Sequence, residues 1–246
     1  MLFSHFFFYE TEFDEMKYQN LFIDLDDTIW DFRANSKVAL EIVYDQYGLN
    51  EYYPLFDEYY RIYSERNTEL WSLYHHGRIS KENLVAERFR YPLQRIGIHN
   101  DKLVSQLNTD YLSALSEQGL LVEGAKVLLD YLKGRSYRLH IISNGFKEVQ
   151  FKKMKSAGID SYFEEVVLSD EIGVNKPHPD IFKYALEKTS SSRDTSLMIG
   201  DNYDADILGA MRSGIDQIYF NPFQKHIPDE HPTYEVRILS EIHDIL

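Results

Sequence analysis

Leu21-Phe22-Ile23-Asp24-Leu25-Asp26-Asp27-Thr28 is the stretch from which the fold is read. Three apolar residues form a short run that ends abruptly in carboxylates, the pattern of a buried strand with polar chemistry at its C-terminal end. Asp24 and Asp26 can point the same way around a tight loop leaving the strand. Two carboxylates at that range repel unless a cation or a proton lies between them, which suits a hard divalent cation with oxygen ligands. An acidic turn or helix cap is the competing reading of the same residues.

Downstream of this strand the texture changes. From about Ala34 to Gln118, apolar and aromatic residues recur at helical spacing (Val38-Ala39, Ile42-Val43, Tyr47; Phe56, Tyr59-Tyr60, Tyr63), with further helical stretches at 70–73, 84–89 and 103–115. No strand pattern interrupts the block. After Gly119 strand and helix alternate: helix 125–132, strand 138–142, helix 149–157, strand 166–168, helix 181–187, strand 197–199, helix 205–212 and strand 217–220. Such alternation implies a parallel sheet with helices on both faces. The first strand precedes the helical block and the rest follow it, so the block is an insertion. The expected division is an N-terminal extension at 1–16, an α/β core at 17–32 and 119–246, and an all-helical cap domain at 33–118.

Ligands of open parallel sheets bind beyond the carboxyl ends of the strands, so polar clusters at strand ends should converge. Besides Asp24 and Asp26 there are three. Ser143-Asn144-Gly145 offers a hydroxyl and backbone N–H groups where strand gives way to helix, a phosphate cradle or an ordinary turn. Lys176, in Asn175-Lys176-Pro177-His178-Pro179, is either a neutralising cation or an exposed loop lysine. Gly200-Asp201-Asn202-Tyr203-Asp204-Ala205-Asp206 supplies Asp201 directly after a strand and Asp206 about one helical turn later, with Asp204 read as a helix cap.

The order and placement of these four clusters resemble the haloacid dehalogenase superfamily from about Lys17 to the C-terminus, with the helical block in the position of that superfamily's cap. The resemblance implies a magnesium-dependent hydrolase in which Asp24 is the nucleophile and Asp26 the general acid/base. It also implies that Mg2+ is held by Asp24, the Asp26 carbonyl and Asp201, and that Ser143, the backbone around Asn144, and Lys176 bind the phosphoryl group. Asp206 would orient Lys176 or a metal-bound water; Thr28 and Asp27 would shape the loop. Asp26 favours phosphoryl transfer over dehalogenation, and no cap lysine stands out for Schiff-base phosphonate cleavage. His178 and Asn202 depart from residue types common in the superfamily, without removing an expected ligand.

Further segments, including Asn67, Leu70-Trp71, Tyr74, Gly77 and Ile79-Ser80, with Phe146 and Ser169–Val174, resemble the bacterial house-cleaning pyrimidine 5′-nucleotidases. That branch implies hydrolysis of nucleoside monophosphates, with Trp71 or Tyr74 stacking on a base and Asn67 reading its edge; simple packing of the cap is the rival role for these aromatics. A sugar-phosphate phosphatase or mutase, and a non-catalytic phosphate-binding protein, stay open as alternatives.

Composition narrows the partners. With 26 basic and 40 acidic side chains among 246 residues, the net charge is −14, which repels polymeric nucleic acid and anionic membranes. The chain has no Cys, so disulfides, thiolate catalysis and Cys-ligated zinc are excluded, in keeping with a cytoplasmic location. A small phosphorylated substrate is the expected partner; oligomeric state is not legible. No apolar run is long enough to span a bilayer. The N-terminal Phe3, Phe6, Phe7 and Phe8 lack the flanks of a signal peptide. Met16 is read as the natural start, the alternative being a short aromatic segment docked on the core or on a second subunit.

Overall fold

The computed structural model describes residues 16–227 and 230–246. The expectations for residues 1–15 lie outside the described residues. Among the described residues six parallel strands form one sheet: β1 (Asn20–Ile23), β2 (Arg138–Ser143), β3 (Glu165–Leu168), β4 (Ser196–Gly200), β5 (Asp216–Phe220) and β6 (Tyr234–Val236), in the order β3-β2-β1-β4-β5-β6. From β1 the chain builds outward first on one side and then on the other. The crevice for a ligand therefore opens at the ends of β1 and β4, whose registers match Leu21 to Leu197 and Ile23 to Ile199.

Both faces of the sheet are covered, which is why its central strands are apolar throughout rather than alternating. Leu21 and Ile23 enter one core with Ile141, Ile199 and Ile218, while Phe22 enters a second with Ile142, Val167 and Met198. Helices α5 (Ala125–Gly134) and α6 (Lys147–Ser156) bury Leu128, Leu129, Val149 and Met154 in the first core. A short α7 (Ser169–Ile172) follows β3. On the opposite face α8 (Pro179–Thr189) and α9 (Gly209–Arg212) bury Ile181, Phe182, Ala185 and Ala210.

Between β1 and β2 the chain makes four long helices, α1 (Phe32–Gln46), α2 (Phe56–His75), α3 (Lys81–Arg95) and α4 (Asp101–Ser116). The sequence signals at 56–63 and 70–73 are two parts of the single helix α2. Its neighbours supply N-caps in Asp31, Ser80 and Asn100. Much of the high Tyr content is packing: Tyr63, Phe89 and Tyr111 meet at centroid separations of 5.1–5.7 Å. Where the chain enters and leaves this block, the fully buried Asn35 donates to Asp31 O and Leu120 O, both at 2.8 Å, and accepts from Leu120 N at 3.1 Å.

Two features depart from the sequence expectation. β6 is a three-residue edge strand, too short to show a period. The helix expected over 205–212 is a π-helical turn at Tyr203–Leu208 running into α9. No helix among the described residues is long and apolar enough to cross a membrane.

One core residue is out of character. His140, opposite Phe22 in β2, is fully buried, and neither ring nitrogen has a hydrogen-bond partner among the described residues. Burial, reinforced by Arg138, lowers its pKa to about 4. A histidine held neutral in the fold contributes stability above its unfolded pKa of about 6.5 that is lost as pH falls toward 4. Replacing it with an apolar residue removes that dependence. In paired urea titrations at pH 7 and pH 5, wild type should lose about 2 kcal/mol relative to His140→Leu.

Candidate active site

The four polar clusters converge, three of them directly after strands and the Lys176 cluster after α7. Asp24 leaves β1 with its backbone N–H bonded to Ile199 O of β4 at 2.9 Å. Its carboxylate Oδ1 lies 2.5 Å from Lys176 Nζ, and that ammonium also lies 2.7 Å from Asp206 Oδ1 and donates to Ile142 O at 2.7 Å. Lys176 is 2% exposed, so the exposed-loop alternative fails. Burial opposes its charge, but Asp206 and Asp24 outweigh burial and raise its pKa.

Asn144 fixes that lysine from the other side. Its side chain accepts from Lys176 N at 2.8 Å and donates to Lys176 O at 2.9 Å. The Asn144 amide is thus committed to the lysine loop, which leaves its backbone to meet any ligand. Asp206 is held in turn by Asn202 N–H at 3.0 Å. A Cβ on Gly200 would fall inside the Asp206 side chain, so glycine at the end of β4 is what admits this carboxylate. Asn202, not Asp204, caps the turn that follows, accepting from Ala205 N at 3.0 Å; this corrects the reading of Asp204.

Asp26 is gripped by residues that sequence reasoning did not single out. Lys153 Nζ donates to its Oδ1 and Gln150 Nε2 to its Oδ2, both at 2.8 Å. Gln150 also reaches Ser143 Oγ at 2.7 Å, and Gly145 N–H donates to the same hydroxyl at 3.0 Å. Lys153 is itself buried, with its ammonium 4.5 Å from the centre of the Trp30 ring. The signal was present but weak. Gln150 and Lys153 stand beside Val149 and Met154 on the buried stripe of α6, two polar residues where an amphipathic helix should carry apolar ones.

Thr28 is fully buried and donates to Asp201 Oδ1 at 3.4 Å. Asp27, at a positive φ of 62°, turns away and accepts from Arg33 N and Nε at 3.1 and 3.3 Å. Carboxylate oxygens of Asp24, Asp201 and Asp206 lie within 4.8 Å of one another. Burial pushes Asp24 up to about 7, against the pull of Lys176, with Asp206 and Asp26 adding to the rise. Asp201 is held well above the usual carboxylate range by burial and by Asp24 and Asp206. Negative charge at the cluster therefore exceeds what Lys176 neutralises. An all-oxygen donor set of this kind fits a small hard dication.

Asp24, Asp26, Ser143, Lys176, Asp201 and Asp206 line a cavity of about 190 Å³, bounded on the other side by the helical block. An adjoining cleft of about 550 Å³ is lined by Asn67 and Trp71. Asn67 is buried and its Oδ1 has no partner among the described residues. Trp71 is partly buried and stacks on Phe146, with centroids 5.3 Å apart and planes at 29°. His75 lies between the two spaces, its pKa lowered to about 4 by burial and by Lys176.

The model of the haloacid dehalogenase-like hydrolase family matches residues 21–220. The chain belongs to this family. Curated members similar to it include the HAD-hydrolase YfnB of Bacillus subtilis (strain 168), 32% identical over 94% of this chain and 96% of YfnB. Two others are pyrimidine 5′-nucleotidases. PynA of Streptococcus pneumoniae (strain ATCC BAA-255 / R6) is 33% identical over 94% of this chain and 96% of PynA. YjjG of Escherichia coli (strain K12) is 31% identical over 94% and 99%. The magnesium-bound crystal structure of YfnB superposes with a TM-score of 0.84 at 31% identity, covering 93% of this chain and 98% of that one. Solved haloacid dehalogenases share the fold at 23% identity or less.

Lys176 is the cation that Asp24 and Asp206 share, and removing it leaves buried carboxylates facing one another. In metal-free buffer Lys176→Met should lower unfolding free energy by about 3–5 kcal/mol, measured by urea denaturation; Asp24→Asn, which leaves the Lys176–Asp206 pair intact, should cost much less.

Proposed function

We propose that this hydrolase is a magnesium-dependent phosphomonoesterase acting through an aspartyl-phosphate, with nucleoside 5′-monophosphates of the pyrimidine series as its substrates. The observation that carries the reading is the second carboxylate: Asp26 lies two residues beyond Asp24, and Lys153 and Gln150 hold both of its oxygens. A dehalogenase has no use for a proton donor there, whereas an alkoxide leaving group needs one.

An Asp24 oxygen attacks phosphorus in line and the ester P–O bond breaks. Asp26 gives its proton to the departing alkoxide. As a carboxylate it then takes a proton from the water that attacks the aspartyl-phosphate, releasing inorganic phosphate and restoring Asp24. Lys176, Ser143 and the backbone N–H groups after β2 hold the phosphoryl oxygens. Mg2+, held by Asp24, the Asp26 carbonyl and Asp201, would supply the charge that lets an anionic nucleophile approach an anionic phosphate. Residues 33–118 act as a cap that excludes bulk water, with Asn67 and Trp71 facing the leaving group.

A sugar-phosphate reading has support of its own. A glyceraldehyde 3-phosphate phosphatase of Methanothermobacter thermautotrophicus is 34% identical over 82% of this chain and 84% of its own length. The deciding experiment is phosphate release from dUMP, dTMP, UMP, purine monophosphates, hexose phosphates and glyceraldehyde 3-phosphate. Pyrimidine nucleotides should lead by at least about tenfold in kcat/KM. EDTA or Asp24→Asn should abolish turnover. Activity that survives Asp24→Asn would remove the mechanism, and preference for a sugar phosphate would remove the substrate.

Lys153 aligns the proton donor, so its loss should matter in proportion to the leaving group's need for a proton. Lys153→Met should lower kcat about 100-fold or more on an alkyl phosphate but only a few-fold on p-nitrophenyl phosphate, with partial recovery in Lys153→Arg.

A further inference from the structure

Arg88 sits on α3 in line with Leu84, on a stripe whose other members are apolar. It is 2% exposed, yet no carboxylate pairs with it among the described residues. Its Nε donates at 3.1 Å to Asn108 Oδ1, and its Nη2 donates to the same oxygen. Both bonds land on one neutral amide, although a guanidinium carries five N–H donors. Two rings also lie beside the guanidinium, Tyr111 at 5.1 Å and Phe89 at 5.6 Å. A buried charge left this way is expensive unless something completes its hydrogen bonds.

Arg88 lines the catalytic cavity. It belongs to the wall formed by the helical block, while Asp24, Ser143 and Lys176 belong to the wall formed by the strand ends. A phosphate seated on Lys176 leaves Arg88 to meet the other end of the ester. Among the described residues the cavity already holds five aspartates against Arg88, Lys153 and Lys176, so a second full anion would add to an excess of negative charge. Planar and apolar side chains share the lining, with Phe32, Trp71, Phe146 and Leu112 among it. Those conditions select a neutral planar ring bearing an oxygen acceptor.

We propose that Arg88 is a specificity-determining residue whose guanidinium donates to a ring carbonyl oxygen of the leaving group, the feature by which a pyrimidine base is told from a ring without acceptors. The assignment rests on the phosphomonoesterase reading and deepens it. Asn108 is then a positioning residue that aims the guanidinium.

The test compares dUMP with phenyl phosphate, whose ring carries no acceptor, at saturating Mg2+. Arg88→Met should reduce kcat/KM for dUMP about 10- to 100-fold and change phenyl phosphate less than about threefold. Asn108→Asp covers the case in which Arg88→Met fails to fold. It gives Arg88 the missing counter-charge, so it should preserve or raise the melting temperature while raising KM for dUMP several-fold. If Arg88 merely fastens α3 to α4, Asn108→Asp strengthens that joint and leaves the dUMP constants unchanged, which overturns the proposal, as does equal loss on both substrates in Arg88→Met. A wild type that cleaves phenyl phosphate but not dUMP defeats the nucleotide reading and this ligand with it. A wild type that cleaves neither defeats the phosphomonoesterase reading itself.

Discussion

The candidate active site depends on one buried ammonium. Lys176 lies within 2.7 Å of carboxylates from two different strand ends and of a carbonyl on a third. Without a cation there, Asp24 and Asp206 could not share a dry pocket. With it, they are drawn close enough that Asp201 joins them. The arrangement is preorganised in the sense that matters for charge stabilisation, because the protein has already met the cost of gathering the charges. Asn144 completes it by clamping both backbone polar groups of the lysine.

This pocket is a product of topology. β1, β2 and β4 are adjacent in the sheet but separated in sequence by more than a hundred residues on one side, bridged by the helical block. Their C-terminal ends open at the same edge because all strands run parallel. Gly200 and Gly145 matter for a local reason: a side chain at either would collide with Asp206 or Gln150.

Most of the sheet was legible because its central strands are short apolar runs closed by polar residues, and so was the helical insertion, whose periodicity is sustained. Three of the four clusters were legible because they fall at strand ends, and the Lys176 cluster, which follows α7, because its lysine stands among structure-breaking residues just before a helix. What escaped were residues whose role comes from distant packing. Gln150 and Lys153 look like ordinary helix-surface residues until α6 is laid beside Asp26. Arg88 looks solvated until α4 and its Tyr111 close over it. β6 escaped because three edge residues carry no period, and Asp204 was misread because Asn202 competes for the same cap.

The chain contains two tryptophans, and they occupy contrasting positions. Trp30 is fully buried beneath the Lys153 ammonium that grips Asp26, while Trp71 stacks on Phe146 where the helical block meets the turn after β2. Their indoles are therefore native optical probes of different places, one reporting the electric field beside the Asp26 carboxylate and the other the contact between the two walls of the cleft.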